Sequence, residues 1–233
     1  MDNQAQASQG LGQQVRAVPG TVLEVITSPA GFFRQMPRTG GFLPPLLFMV
    51  LMGVAGGLLQ VVLALVGLGG DLVSGLLAVI LMPLLVGIFG FIGAAILFLF
   101  WKIIGSQESF ETAFRCGAYT AAILPLTTVF NIIPYLGSIM GLVWMTYLLV
   151  VASTEVHGIA AKKAWIAFGA IGAVLAISSL SVEIAARKMM RGMGEWQQSN
   201  QRVLKDMDKL DEMSPEEAGK ALGQFLKGLG QEE

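Results

Sequence analysis

Thirty-nine consecutive residues without a charged side chain separate Arg115 from Glu155. A helix needs only about 20 apolar residues to cross a bilayer, so this run predicts two membrane spans rather than one. The connection between them is predicted at residues 131–137, where Pro134 removes a backbone donor and disfavours helix at the residue before it. The run is therefore predicted to form a helical hairpin with a charged loop at each of its open ends.

The charged loops at the open end of this hairpin set the predicted orientation of the chain. Lysine or arginine occurs in both loops, at residues 102–115 and 155–163, whereas the hairpin tip has neither. Cytoplasmic loops are enriched in these residues, so residues 108 and 162 and the N-terminus are predicted in the cytoplasm. The loop that ends at Asp71 has no lysine or arginine and is predicted on the opposite side.

The composition agrees with a chain that is embedded in a membrane. It is 54% hydrophobic and 13% charged, with a mean hydropathy of +0.67. Its apolar runs are long and continuous, whereas the strands of a membrane barrel alternate. The predicted fold is an all-α, multi-pass membrane helical bundle, which would lie in the inner membrane if the source is prokaryotic. The five predicted transmembrane helices cover residues 42–66, 72–101, 117–133, 137–153 and 164–182.

The chain is predicted to have three parts: residues 1–41, the membrane bundle at 42–184, and a polar helical tail at 185–233. Residues 1–18 contain little apolar surface and are predicted to be a disordered lead. Phe32 and Phe33, beside Arg34 and Arg38, are typical of a short interfacial helix at headgroup depth. A plain linker before the first span is the alternative for this segment.

The tail contains two predicted helices. One stripe alternates in steps of four and three, at Met189, Met193, Trp196, Asn200, Val203, Met207 and Leu210, as in a coiled-coil seam. A second helix is predicted to begin at Ser214-Pro215, with an apolar face at Ala218, Leu222, Phe225, Leu226 and Leu229. Either the tail mediates self-association or it is a solvated helix that lies on the membrane surface or on its own bundle. Five spans place the tail outside the cell, against the charge preference of Arg187, Lys188 and Arg191.

Chemistry-bearing residues are scarce in this chain. It has one histidine and one cysteine, and it lacks the spacings of metal-binding and phosphate-binding motifs. No enzyme activity, cofactor, metal site or nucleic-acid contact is predicted. His157 beside Glu155 is either a proton-sensitive pair or a structural loop histidine. Small residues four apart, such as Gly53 and Gly57, indicate close helix packing if they are not a chance result of 29 glycines.

Several motifs occur together in a recognisable order. They are Ser28-Pro-Ala-Gly-Phe32-Phe33, Gly105-Ser-Gln-Glu-Ser-Phe110-Glu-Thr-Ala-Phe-Arg115, Gly117-Ala-Tyr119, Leu124-Pro125, Ile133-Pro134-Tyr-Leu-Gly137, Trp144 and His157-Gly158-Ile159. In these residues the chain resembles the Yip family of Ypt- and Rab-interacting membrane proteins, over residues 22–184. The resemblance implies five spans, a cytoplasmic N-terminus and, as in eukaryotic relatives, a role in membrane trafficking or shaping. It does not account for the tail.

The leading functional hypothesis is a non-enzymatic membrane scaffold or adaptor that contacts the lipid bilayer and a protein partner at its cytoplasmic face. The predicted contact residues are Phe32, Phe33, Arg34, Phe110, Arg115, Glu155, His157, Lys162 and Lys163. The alternative is a small transporter or channel subunit, with helices kinked at Pro83, Pro125, Asn131 and Pro134. Against it, the spans carry none of the ionisable residues that usually line ion or proton routes.

Overall fold

Helices account for most of the described residues in the computed structural model, which describes residues 2–68, 70–211 and 219 and the side chains of residues 12–68 and 70–205. The described residues form no strand. The helices are α1 (Asp2–Thr27), α2 (Pro29–Gln35), α3 (Leu43–Leu65), α4 (Leu72–Ile103), α5 (Phe110–Tyr119), α6 (Leu124–Phe130), α7 (Leu136–Glu155) and α8 (Ala161–Asp211), with a 3-10 turn at Thr120–Ile123.

Five stretches of these helices are long and apolar enough to cross a membrane. They are Leu43–Leu65, Leu72–Ile103, Phe110–Phe130, Leu136–Glu155 and Ala161–Lys205. The predicted all-α bundle with five spans is therefore confirmed. The break inside the charge-free run is also confirmed, because α6 ends at Phe130 and α7 begins at Leu136.

The third span begins earlier than predicted, at Phe110 rather than near Gly117. Its N-terminus is capped by Ser109, whose hydroxyl accepts a hydrogen bond from the Thr112 amide at 3.2 Å. The helix tolerates charge in its first turns because Arg115 is paired with Glu111. Charge alone therefore does not mark where this helix starts.

Helices α3 and α4 pack closely through glycine. A Cβ added at Gly53 would lie 2.8 Å from the Pro83 Cα, and one at Gly57 would lie 2.7 Å from the Val79 Cα. Those separations are too short for any side chain, so the two backbones touch only because these residues are glycine. The predicted packing role of this small-residue pair is confirmed.

The N-terminal lead differs from its prediction, because residues 2–27 form α1 instead of a disordered segment. The reason lies in an apolar stripe at Val18, Val22 and Val25, spaced four and three residues apart. Val25 is fully buried, and the other two valines pack against the same core. These tertiary contacts stabilise the helix. The prediction of disorder considered only the composition of residues 1–18 and did not include them.

The chain divides into two compact units, Met1–Leu180 and Ser181–Glu233. Helix α8 passes through the boundary unbroken, whereas the sequence predicted a span ending near Val182 and a separate tail helix. No proline interrupts this region, and Arg187 pairs with Glu183 one turn away at 2.7 Å. The predicted second tail helix from Ser214 lies outside the described residues.

Candidate docking face at one end of the bundle

Three loops and α2 meet at one end of the first unit. The loops cover residues 36–42, 104–109 and 156–160, and we call this surface the mouth face. The Arg34 Nε on α2 contacts a Glu155 carboxylate oxygen at the end of α7 at 2.9 Å. Arg38 forms a second ion pair with Glu108 in the next loop. These pairs join segments that are 121 and 70 residues apart in the chain.

Arg115 fastens the loop before α3 to α5. Its side chain is 4% exposed, and its Nη2 donates a hydrogen bond to the Gly41 carbonyl at 2.7 Å. The Gly41 amide in turn donates to Glu111 at 2.7 Å, and Glu111 is also the ion-pair partner of Arg115. A buried arginine needs such a complete set of partners. Arg115, predicted as a partner-contact residue, is therefore an internal fastener and is not available at the surface.

A second set of contacts joins α4 and α7 beneath the mouth face. The Trp101 indole N–H donates to the Ser153 hydroxyl at 2.8 Å, and both residues are buried. The Trp101 ring stacks on His157 with a centroid distance of 3.9 Å. Ser106 lies 2.7 Å from the His157 Nδ1, which brings the loop after α4 against the loop after α7.

The environment of His157 excludes the predicted pairing with Glu155. Glu155 is bound to Arg34, while His157 points to Ser106 and Trp101. Burial, together with the charges of Arg38 and Lys102, lowers the pKa of His157 to about 4. His157 is therefore neutral near pH 7 and acts as a structural residue, which was the alternative left open by the sequence.

The aromatic residues of the predicted interfacial helix face inward instead. Phe33 is 1% exposed, and the edge of the Phe32 ring lies against both Phe33 and Tyr119, with centroids 5.3 and 5.0 Å apart. Phe110 is partly buried and packs against Phe42, with centroids 5.8 Å apart. The prediction that Phe33 contacts lipid or a partner is wrong, because its ring belongs to the core.

The accessible part of the mouth face consists of basic side chains beside a cavity. The side chains of Arg34 and Arg38 are 67% and 52% exposed. Lys162 is exposed, and Lys163 reaches the Ile104 carbonyl at the end of α4 with its Nζ at 2.6 Å. The cavity, of about 450 Å³, lies between α1 and α2 and is lined by Glu24, Ser28, Gly31, Phe32, Gln35, Met36 and Pro37.

The sequence predicted most residues of the mouth face but not the buried contacts beneath it. No buried contact was predicted for Trp101 or Ser153, and Ser106 lay within a family motif without an assigned contact. One signal was available, because Ser153 is a polar residue inside an apolar span and such a group needs a partner. Among the described residues, no group of three or more histidine, cysteine, aspartate or glutamate residues is placed to hold a metal ion.

The five apolar helices place this chain in the class of multi-pass helical membrane proteins. A family model described as the Yip1 domain matches residues 23–182. The chain therefore belongs to the Yip1-domain family, as its motifs indicated. No curated protein and no solved structure matched the chain. The tail beyond residue 182 lies outside the matched region.

Proposed function

We propose that this protein is a membrane scaffold or adaptor whose mouth face, on the cytoplasmic side, binds a protein partner. The observation that carries the proposal is the connection of three distant segments, at residues 34–41, 108–115 and 155, by the contacts of Arg34, Arg38 and Arg115. A surface built in this way is ordered before a partner arrives. Binding to it costs less conformational entropy than binding to free loops.

The cavity between α1 and α2 supplies a place for an anchoring side chain. Its volume of about 450 Å³ is that of a small binding site, with Phe32 and Met36 as apolar lining and Glu24 and Gln35 as polar lining. The strongest contacts of protein interfaces are anchors that enter such pockets. The cavity and the nearby arginines together favour a partner that offers an apolar anchor within an acidic surface.

The transport alternative gains no support from the residues on which it was based. Pro83 packs against Gly53 between α3 and α4, and Pro125 lies in the first turn of α6. Asn131 and Pro134 lie in the connection between α6 and α7. Pro83 therefore lies at a helix contact and the other three lie at a helix start or in a connection, so we retain binding, rather than transport, as the proposed function.

Site-directed photocrosslinking in native membranes tests the proposal. Gln35 is the position for the photoreactive residue because it is exposed and borders the cavity, whereas Phe32 packs inward. Leu68, which is 55% exposed in the loop between α3 and α4, is the matched control. We expect a protein adduct at position 35 that is absent at position 68.

A charge reversal distinguishes a specific partner from a chance neighbour. Arg34→Glu combined with Arg38→Glu is expected to abolish the adduct at position 35 while the protein remains inserted. Leu68→Glu is expected to leave the adduct unchanged. Capture of lipid alone at position 35, or the same adduct with and without the two reversals, would exclude the proposed docking face.

A further inference from the structure

Helix α8 has an apolar stripe in the second unit. This stripe is separate from the mouth face and has no part in the function proposed above. Its positions alternate in steps of three and four, at Ala186, Met189, Met193, Trp196, Asn200 and Val203. This spacing places all six on one side of the helix, as at the a and d positions of a coiled coil. We call these six residues the α8 stripe.

The α8 stripe is open in the structure. Met189 and Trp196 are each 66% exposed, Met193 is 58% exposed and Val203 is 39% exposed. Leu204, next to the stripe, is 61% exposed. Large apolar side chains that line up on one helix face are typical of a surface that another element covers.

Between residues 184 and 205, no charged residue of α8 lies on the stripe or at the positions that border it. Between residues 184 and 205 the charged residues are Arg187, Lys188, Arg191, Glu195, Arg202 and Lys205. All six fall on the three heptad positions that point away from a partner helix. The positions that border the stripe instead hold Ala185, Met190, Gly192, Gln197, Ser199 and Leu204. Between residues 184 and 205, no like charges would therefore face one another if two such helices packed together.

We propose that the occupant is a second copy of this chain, in a parallel two-helix coiled coil. Charged residues beside a seam set the choice of partner, and between residues 184 and 205 there are none that would repel an identical chain. Asn200 is complementary to itself, because its amide offers both donors and an acceptor. It meets another Asn200 only when two identical chains align in register. Because α8 is a single helix from Ala161 to Asp211, two copies in one membrane present it in the same direction.

Disulfide mapping in native membranes tests the geometry. Single cysteines replace Ala186 or Val203 on the stripe, or Gln198 on the opposite side, in full-length protein that carries Cys116→Ser. A disulfide requires Cβ atoms about 4 Å apart, which facing seam positions approach and outward positions do not. We expect covalent dimers from Ala186→Cys and Val203→Cys, at least about tenfold more than from Gln198→Cys.

The same experiment separates the other occupants. Equal crosslinking at all three positions would indicate chance collision and would overturn the proposal. If the stripe cysteines form no crosslink and also fail to react with an impermeant maleimide, the membrane surface covers the stripe. This result would also overturn the proposal. An intramolecular link between Val203→Cys and a cysteine placed at residue 222 would assign the stripe to the chain's own end instead.

A charge inserted into the seam gives an independent measurement. Asn200→Asp places two like charges opposite each other, whereas Gln198→Asp adds the same charge on the outer side. In mild detergent, light scattering is expected to give twice the chain mass of 24.8 kDa for the wild type and Gln198→Asp. Asn200→Asp, and a chain truncated after Arg191, are expected to give the single mass. One mass for all four proteins would contradict a dimer formed through the stripe.

Discussion

Arg115 illustrates, at the scale of single residues, what a sequence reveals about a charged side chain and what it does not. Its position beside an apolar run marked it as part of the charged end of the bundle. Its burial became evident only in the folded chain, because Gly40 and Gly41, from a distant part of the sequence, lie against its guanidinium. Sequence reasoning therefore places a charge in the right region without showing whether that charge faces outward or inward.

Replacement of Arg115 is expected to destabilise the protein strongly. Arg115→Met leaves the Gly41 carbonyl without its partner and Glu111 without its counter-charge, which costs about 2–4 kcal/mol. We expect a clear decrease in the thermal midpoint of the protein in detergent. Arg34→Met is the matched control, since that arginine is exposed and its ion pair is solvated. Equal midpoints for the two variants would show that Arg115 does not fasten the loop.

The protonation of His157 is expected to make stability dependent on pH. Its pKa is about 4 in the fold against 6.5 as its ordinary value, so the unfolded chain binds the proton more readily. The stabilising contribution of the neutral ring is complete above pH 6.5 and is lost as the pH falls towards 4. The total amounts to about 3 kcal/mol.

His157→Asn isolates this contribution from those of the other ionisable groups in the protein. The asparagine amide keeps a polar atom for Ser106 but does not titrate. We expect the thermal midpoint of the wild type to decrease more than that of the variant between pH 7 and pH 4.5. Parallel decreases in both proteins would mean that His157 is not buried in its neutral form.

At the scale of elements, the sequence predicted well where helices cross the membrane and less well where they begin and end. The first span, predicted at residues 42–66, is observed at Leu43–Leu65. Apolar length decides such spans, and it is visible in the sequence. The start of α5 and the length of α8 depend on caps and pairs such as Ser109 with Thr112 and Arg187 with Glu183, which apolar length does not record.

The close contact between α3 and α4 predicts that Gly57 cannot be enlarged without a loss of stability. Gly57→Ala places a Cβ about 2.7 Å from the Val79 backbone, so the helices must separate. Overpacking of this kind costs about 1–3 kcal/mol. Gly93→Ala in α4 is the control, because nothing lies within 4 Å of a Cβ at that glycine. We expect a lower thermal midpoint for Gly57→Ala only, and equal midpoints would contradict the close contact.

For the whole molecule, the number of spans decides the side of the tail. Five spans, with the N-terminus in the cytoplasm as the sequence predicts, would place residue 198 outside the cell, although the basic residues near it favour the opposite side. Gln198→Cys in the Cys116→Ser protein is expected to react with a membrane-impermeant maleimide in intact cells. Protection of this cysteine until the membrane is opened would require an even number of spans.

The most direct test of the account is the side on which the mouth face lies. Gln107 and Lys162 are exposed in or next to its loops, and Leu68 is exposed at the loop between α3 and α4. Each is replaced by cysteine in the Cys116→Ser protein and treated with the impermeant maleimide. We predict labelling of position 68 in intact cells, and labelling of positions 107 and 162 only after permeabilisation. Labelling of 107 and 162 in intact cells, with 68 protected, would contradict a cytoplasmic docking face.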